Sequence, residues 1–218
     1  MNDRIIDKII LEVRIENGSR IDELIAKKAD RVELNDNMAV GGTTVSYGVA
    51  ENAIQRFHAG EIRVMSMIRP RGGNFVYNDD EISIMLKDIE ILHKLETDGV
   101  VFGCLTPSGS LDREKMHVLI QAATARKLEI VFHMAFDHIN YDEQLESLHW
   151  LANKGVTRIL THGSANQSDP IQNNYKRLKE YVSAGRIEIL PGGGVTKDNY
   201  REVCTALNIQ QAHGSKIL

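Results

Sequence analysis

Short apolar runs recur along the chain at intervals of about 25 to 35 residues, separated by longer amphipathic stretches, the alternation expected of a parallel α/β protein. IILEV at 9–13 opens the series. RIDELIAKKA at 20–29 follows, with Ile21, Leu24, Ile25 and Lys28 at helical spacing, and RVEL at 31–34 completes a first strand, helix and strand. The same reading predicts strands at 62–68, 99–103, 129–134, 158–163, 187–191 and 210–214. Helices are predicted at 46–59, 80–96, 112–126, 142–153, 171–183 and 197–206. Eight strands with helices between them predict an α/β fold, a single (β/α)8 TIM barrel over residues 1–218, rather than a doubly wound sheet. Only Ser215 to Leu218 follow the last strand. The expected barrel therefore lacks its eighth helix, or has that cover supplied by a partner subunit or by the first residues.

The connections that follow strands hold the chemically unusual residues: NDNMAVGGTT, RPRGG, TPSGS, FDHIN and PGGG. In such barrels these loops build the rim at the C-terminal face, where sites lie. Composition narrows the partners. Hydrophobic residues make up 42% of the chain and charged residues 26%, the balance of an ordinary globular protein. Lys plus Arg total 26 against 30 Asp plus Glu, a net charge of -4, so no basic field draws in a nucleic acid. The two cysteines, Cys104 and Cys204, form neither a disulfide framework nor a CxxC motif. Asp3, Arg4, Asp7 and Lys8 break up the apolar start of the chain, and no apolar run is long enough to cross a bilayer. The expectation is a cytoplasmic protein with a small-molecule partner, and neither nucleic acid nor membrane.

Glu12 and Glu33 stand in otherwise apolar strands, late enough to point into the upper barrel, where an unpaired carboxylate is costly. Arg69, on the parity of Met65 and Met67, is their expected partner, or else a ligand for a substrate anion together with Arg71. His133 ends the fifth strand and Asp137 follows four residues later, where the loop can bring it back over the barrel. Glu12, Glu33, Arg69, His133 and Asp137 are thus the candidate catalytic set, with His213 at another strand end. The plain alternative for His133 is a hydrogen-bonded core residue. His58, His93, His117 and His149 are expected at the surface, and His162 lacks the same support. Gly192, Gly193, Gly194, Gly214 and Ser215 follow strands seven and eight, where backbone amides can hold a phosphate. The competing reading of the triple glycine is a tight turn ahead of Thr196. No cofactor is indicated. The metal search is poor, with Cys104 alone well placed and Met65, Met67 and Met134 read as core packing.

The strings ELNDNMAVGGTTVSYGV, MIRPRGGNFVYNDDEI, DGVVFGCLTPSG, FHMAFD, RILTHG and GRIEILPGGGV closely resemble the CutC family, called copper homeostasis proteins, from Glu12 to Ser215. The resemblance implies a cytoplasmic TIM barrel, often a homo-oligomer, and copper by the family's name alone. Copper-binding proposals for the family rest on cysteines whose matching positions here are Arg14 and Asn35. Met134 and His162 also depart from the family's usual strings, and a C-terminal tail common in relatives is either absent after Ser215 or lies beyond this sequence. The favoured expectation is an enzyme or binder of a small, perhaps phosphorylated, anionic molecule. In it Arg69 and Arg71 orient the anion while His133 and Glu33 exchange protons. Copper binding in copper homeostasis is the alternative, and a scaffold without catalysis the third.

Overall fold

A computed structural model describes residues 8–218. Asp3, Arg4 and Asp7, and any cover that the first residues give the barrel, lie outside the described residues. Eight strands form one parallel sheet: β1 (Ile10–Glu16), β2 (Arg31–Asn35), β3 (Arg63–Met67), β4 (Gly99–Phe102), β5 (Glu129–Phe132), β6 (Arg158–Thr161), β7 (Glu188–Pro191) and β8 (Gln211–Gly214). Between them lie α1 (Ile21–Ala26), α2 (Tyr47–Ala59), α3 (Asp79–Lys94), α4 (Arg113–Thr124), α5 (Gln144–Asn153), α6 (Tyr175–Ala184) and α7 (Tyr200–Leu207). The hydrogen-bonded order β7-β6-β5-β4-β3-β2-β1-β8 wraps the sheet into a nearly closed barrel. Among the described residues no helix follows β8, and none is long and apolar enough to cross a membrane.

The pleat sorts each strand into two faces. Val13, Ile15, Val32, Leu34, Val64, Val100, Phe102, Ile130 and Phe132 face outward and form the core shared with the helices. The inward residues Met65, Met67, Val101, Val131, Leu160 and Leu190 fill the barrel as a separate apolar cluster. Local signals set the helix starts. Asn78 and Glu81 cap α3 reciprocally, and Asp112 accepts the Lys115 amide at 3.1 Å to start α4.

Several boundaries differ from the sequence expectation, and two of them matter to the site. Strand β1 runs on to Glu16, which carries Arg14 into the upper barrel. Strand β5 stops at Phe132, because His133 accepts the Ala135 amide and nucleates a 3-10 turn over Met134–His138. Met134 therefore leaves the strand, packs half-buried on the inward barrel cluster and lines the opening above it.

The seam lies between β7 and β8, which share no ladder. Gln211 closes its lower end, donating to Glu188 at 3.0 Å and accepting from Arg31 at 3.0 Å. Above, Thr196 and Lys216 form a parallel bridge, and the Lys197 amide reaches the Lys216 carbonyl at 2.9 Å. Gly214 permits this closure, since a Cβ there would overlap the Val195 carbonyl oxygen. A Gly214→Ala substitution is expected to destabilise the protein by about 1–3 kcal/mol through this clash. Thermal unfolding should show Tm lowered by roughly 2 to 12 °C.

Candidate functional site

The inner face of the barrel carries a continuous line of buried polar side chains. At the bottom Arg158 pairs with Glu129 and lies 3.5 Å from Glu188. Arg31 pairs with one oxygen of Glu12, and the other oxygen sits 2.8 Å from His213 Nδ1. His213 Nε2 in turn lies 3.9 Å from Glu33, whose same oxygen accepts from the Asn35 amide at 3.0 Å. The expectation that Glu12 and Glu33 pair with Arg69 is corrected on both counts. Strand register places Arg31 directly beside Glu12, and Glu12 beside His213, so these nearer donors take the carboxylate.

Arg69 instead organises the rim. Its guanidinium donates to the carbonyls of Val40 and Gly42 at 2.8 Å each and of Gly73 at 2.9 Å, and it stacks on Phe75 at 4.9 Å. The loops after β2 and β3 are thus tied together by one cation that has no carboxylate partner, and its Nε is buried without a partner. Arg14, on the opposite side of Glu33, has one hydrogen bond, from Nε to Ser215 Oγ at 3.2 Å. Among the described residues neither arginine forms an ion pair.

These groups surround a cavity of about 860 Å³ at the C-terminal end of the barrel. Arg14, Glu33, Arg69, His133 and His213 supply its polar wall, and Met67, Phe75, Leu105, Met134 and Leu160 its apolar one. Burial, strengthened by the nearby Arg69 charge, lowers the His133 pKa to about 3, so the ring is neutral at physiological pH. Burial raises the Glu33 pKa and the Glu12 charge adds to the effect, against the pull of His213. Burial acts on Glu12 too, but Arg31 and His213 overcome it and hold its pKa down at about 2.

The rest of the predicted set lies elsewhere. Asp137 does not fold back over the barrel. It sits in the 3-10 turn, where it accepts from the Thr161 hydroxyl, from the His162 amide at 2.9 Å and from the Gly163 amide at 3.1 Å. Its role is to hold the end of β6, and burial raises its pKa to about 6. Arg71 is consumed by Glu81, by the Val76 carbonyl at 2.7 Å and by its own loop, and does not line the cavity. Gly192, Gly193, Gly194, Gly214 and Ser215 are likewise off the cavity wall. Gly192 donates to the Thr161 carbonyl at 3.0 Å, and side chains at Gly192 and Gly193 would strike Leu160 and His162. The turn is the reading that packing supports.

His162 was undervalued by the sequence reading. It is fully buried, and its Nδ1 contacts the Gly193 carbonyl at 2.9 Å, pinning the loop after β7 to β6. Its inward parity after Leu160 was the available signal. His93 and His149 are exposed as expected, whereas His58 and His117 are half-buried, His58 against Asp98 at 2.9 Å.

Copper in its cuprous form calls for sulfur. Cys104, expected to be well placed, instead points into the outer core, where burial pushes its thiol far up, and Cys204 is raised to about 11 by the same cause. Glu12, Glu33 and His213 bring donor atoms within 4.8 Å of one another. That set is already committed, with Arg31 on Glu12 and the His213 Nδ1 proton turned to the same carboxylate. With no sulfur among them, these three residues do not fit a cuprous ion.

A nearly closed parallel barrel with a polar cavity over the C-terminal strand ends defines a TIM-barrel protein. The CutC family profile matches residues 9–218. A CutC family protein of Enterococcus faecalis is 48% identical over 214 residues, covering 96% of this chain and 100% of the relative. One from Streptococcus pyogenes is 44% identical over 212 residues, covering 96% and 100%. The chain belongs to the CutC family. A crystal structure from Streptococcus agalactiae, of a protein named as a proposed copper homeostasis protein CutC, superposes with a TM-score of 0.92 at 47% identity, covering 96% of this chain and 100% of that one. Oxaloacetate acetylhydrolase, at 13% identity and a TM-score of 0.66 over 96% of this chain and 76% of its own, shares the fold alone.

The shifted groups set a pH response. Glu12 has a depressed folded pKa, so its stabilisation is present above the ordinary carboxylate range and lost as pH falls towards about 2. His133 stays neutral when folded while an unfolded imidazole charges below about 6.5, so it erodes stability as pH falls from there towards about 3. Glu12→Gln should cost about 3–5 kcal/mol at neutral pH by leaving Arg31 unpaired. Chemical unfolding at a series of pH values should also show a flatter acid limb in Glu12→Gln than in the wild type.

Proposed function

We propose that this protein binds a small anionic organic molecule in the cavity, with Arg14 and Arg69 as its counter-charges. One observation carries the reading: two guanidinium groups line the same cavity and, among the described residues, neither is paired with a carboxylate. Among the described residues Glu33 is the one acidic side chain on that wall, and burial raises its pKa, working against its charged form. His133 is neutral. The wall therefore carries net positive charge next to apolar side chains, where an entering oxyanion gains charge-assisted hydrogen bonds in low dielectric. The glycine amides expected to help are not needed for this reading.

Thermal unfolding at constant ionic strength tests it. Inorganic phosphate or oxalate at about 100 times its Kd should stabilise the wild type by about 2.7 kcal/mol. Glycerol should not, and Arg14→Met should abolish the gain. No stabilisation beyond that given by chloride overturns the proposal.

The copper role proposed in the name of the Streptococcus agalactiae relative has weaker support in this chain, because both thiols are protonated and buried away from the cavity. Competition with a cuprous chelator under anaerobic conditions should find no tight site, and the same result for Cys104→Ser. Stoichiometric tight binding that survives Cys104→Ser would contradict this assignment.

A further inference from the structure

Of the three histidines that line the cavity, His138 is exposed at the rim, and the two buried ones, His133 and His213, hold their protons on opposite ring nitrogens. His133 Nδ1 lies 3.2 Å from the Ala135 backbone nitrogen. An amide N–H only donates, so Nδ1 offers a lone pair and the ring proton sits on Nε2. That Nε2–H is buried without a partner in a side chain 4% exposed. His213 is the reverse. Its Nδ1 faces a Glu12 oxygen at 2.8 Å, and a carboxylate only accepts, so a proton is on Nδ1, and the neutral ring then has its lone pair on Nε2. Arg31 on the other Glu12 oxygen keeps that carboxylate ionised and fixes the arrangement. The charged or titratable groups around His213 are Glu12, Glu33 and, beside Glu33, Arg14. The cavity thus presents one imidazole that can only give a hydrogen bond and one that can take a proton.

Resting on the anion-binding reading, we infer that the cavity catalyses proton transfer at a carbon adjacent to a carbonyl in a small anion held by Arg14 and Arg69. His213 Nε2 removes the proton. The C–H pair becomes a C=C bond, and the carbonyl π pair moves to oxygen, which accepts the hydrogen bond of His133 Nε2–H. Where that carbon carries a hydroxyl, His213 returns the proton to the former carbonyl carbon and the hydroxyl passes its proton to the enolate oxygen, completing an isomerisation with no co-reactant. Glu12 is a positioning residue that holds the His213 tautomer. A neutral imidazole as donor to an enolate oxygen is sound chemistry, since it need not lose a proton to act. The apolar walls from Met67, Phe75 and Leu160 strengthen both interactions by excluding water.

Long-range 1H–15N spectra of histidine-labelled protein read the tautomers directly. His133 should carry its proton on Nε2 and His213 on Nδ1, and Glu12→Gln should disturb the His213 pattern alone. In parallel, phosphoglycolohydroxamate, a planar enediolate mimic, should bind about 100-fold or more tighter than phosphoglycolate. His133→Phe should remove that preference while inorganic phosphate still binds. Reversed tautomers, or equal affinity for the two phosphoglycolate compounds, overturns the inference. Failure of the wild type to bind phosphate overturns the anion reading instead, and the tautomer spectra separate the two outcomes.

Discussion

The Glu12 carboxylate is the constraint around which the barrel interior is arranged. A buried ionised carboxylate is tolerable only when both oxygens are satisfied, and Arg31 and His213 satisfy them from the flanking strands. Through Arg31 and Gln211 the same chain reaches Glu188 across the β7–β8 seam, which has no backbone ladder of its own. Through His213 it reaches the cavity. One residue on β1 therefore couples closure of the barrel to the orientation of a ring on the cavity wall.

Arg69 does for the rim what Glu12 does for the floor. It spends its donors on carbonyls of two loops, which shapes the cavity mouth but leaves its positive charge uncompensated. Had it paired with Glu33, the cavity would keep only the Arg14 charge and would attract an anion less strongly. The separation of the two charge systems, paired below and unpaired above, is what gives the upper barrel its polarity.

The strand rhythm and the polar interruptions within it made the barrel and much of the site legible. Glu12, Glu33 and Arg69 stand out because charged residues break apolar strands, and period-two parity correctly turns them inward. Their partners were not legible. Arg31 opens its strand and reads as a solvated end, and only the register β1 against β2 shows it level with Glu12. Arg69 satisfying itself on backbone carbonyls has no sequence signature, since any loop offers carbonyls. Asp137 was misplaced because β5 ends at Phe132 and the 3-10 turn swings the carboxylate towards β6, a local hydrogen-bonding choice that periodicity does not register. Arg14 entered the sequence reading only as a departure from a cysteine, and its place on the cavity wall depends on how far β1 extends.

The most direct measurement is a crystal structure of the protein grown with inorganic phosphate. It should show the anion in the barrel-top cavity, with oxygens about 2.7–3.2 Å from guanidinium nitrogens of Arg14 and Arg69 and with Glu33 making no ion pair. Arg14 closed onto an ionised Glu33, with phosphate absent from the cavity at saturating concentration, would contradict the account.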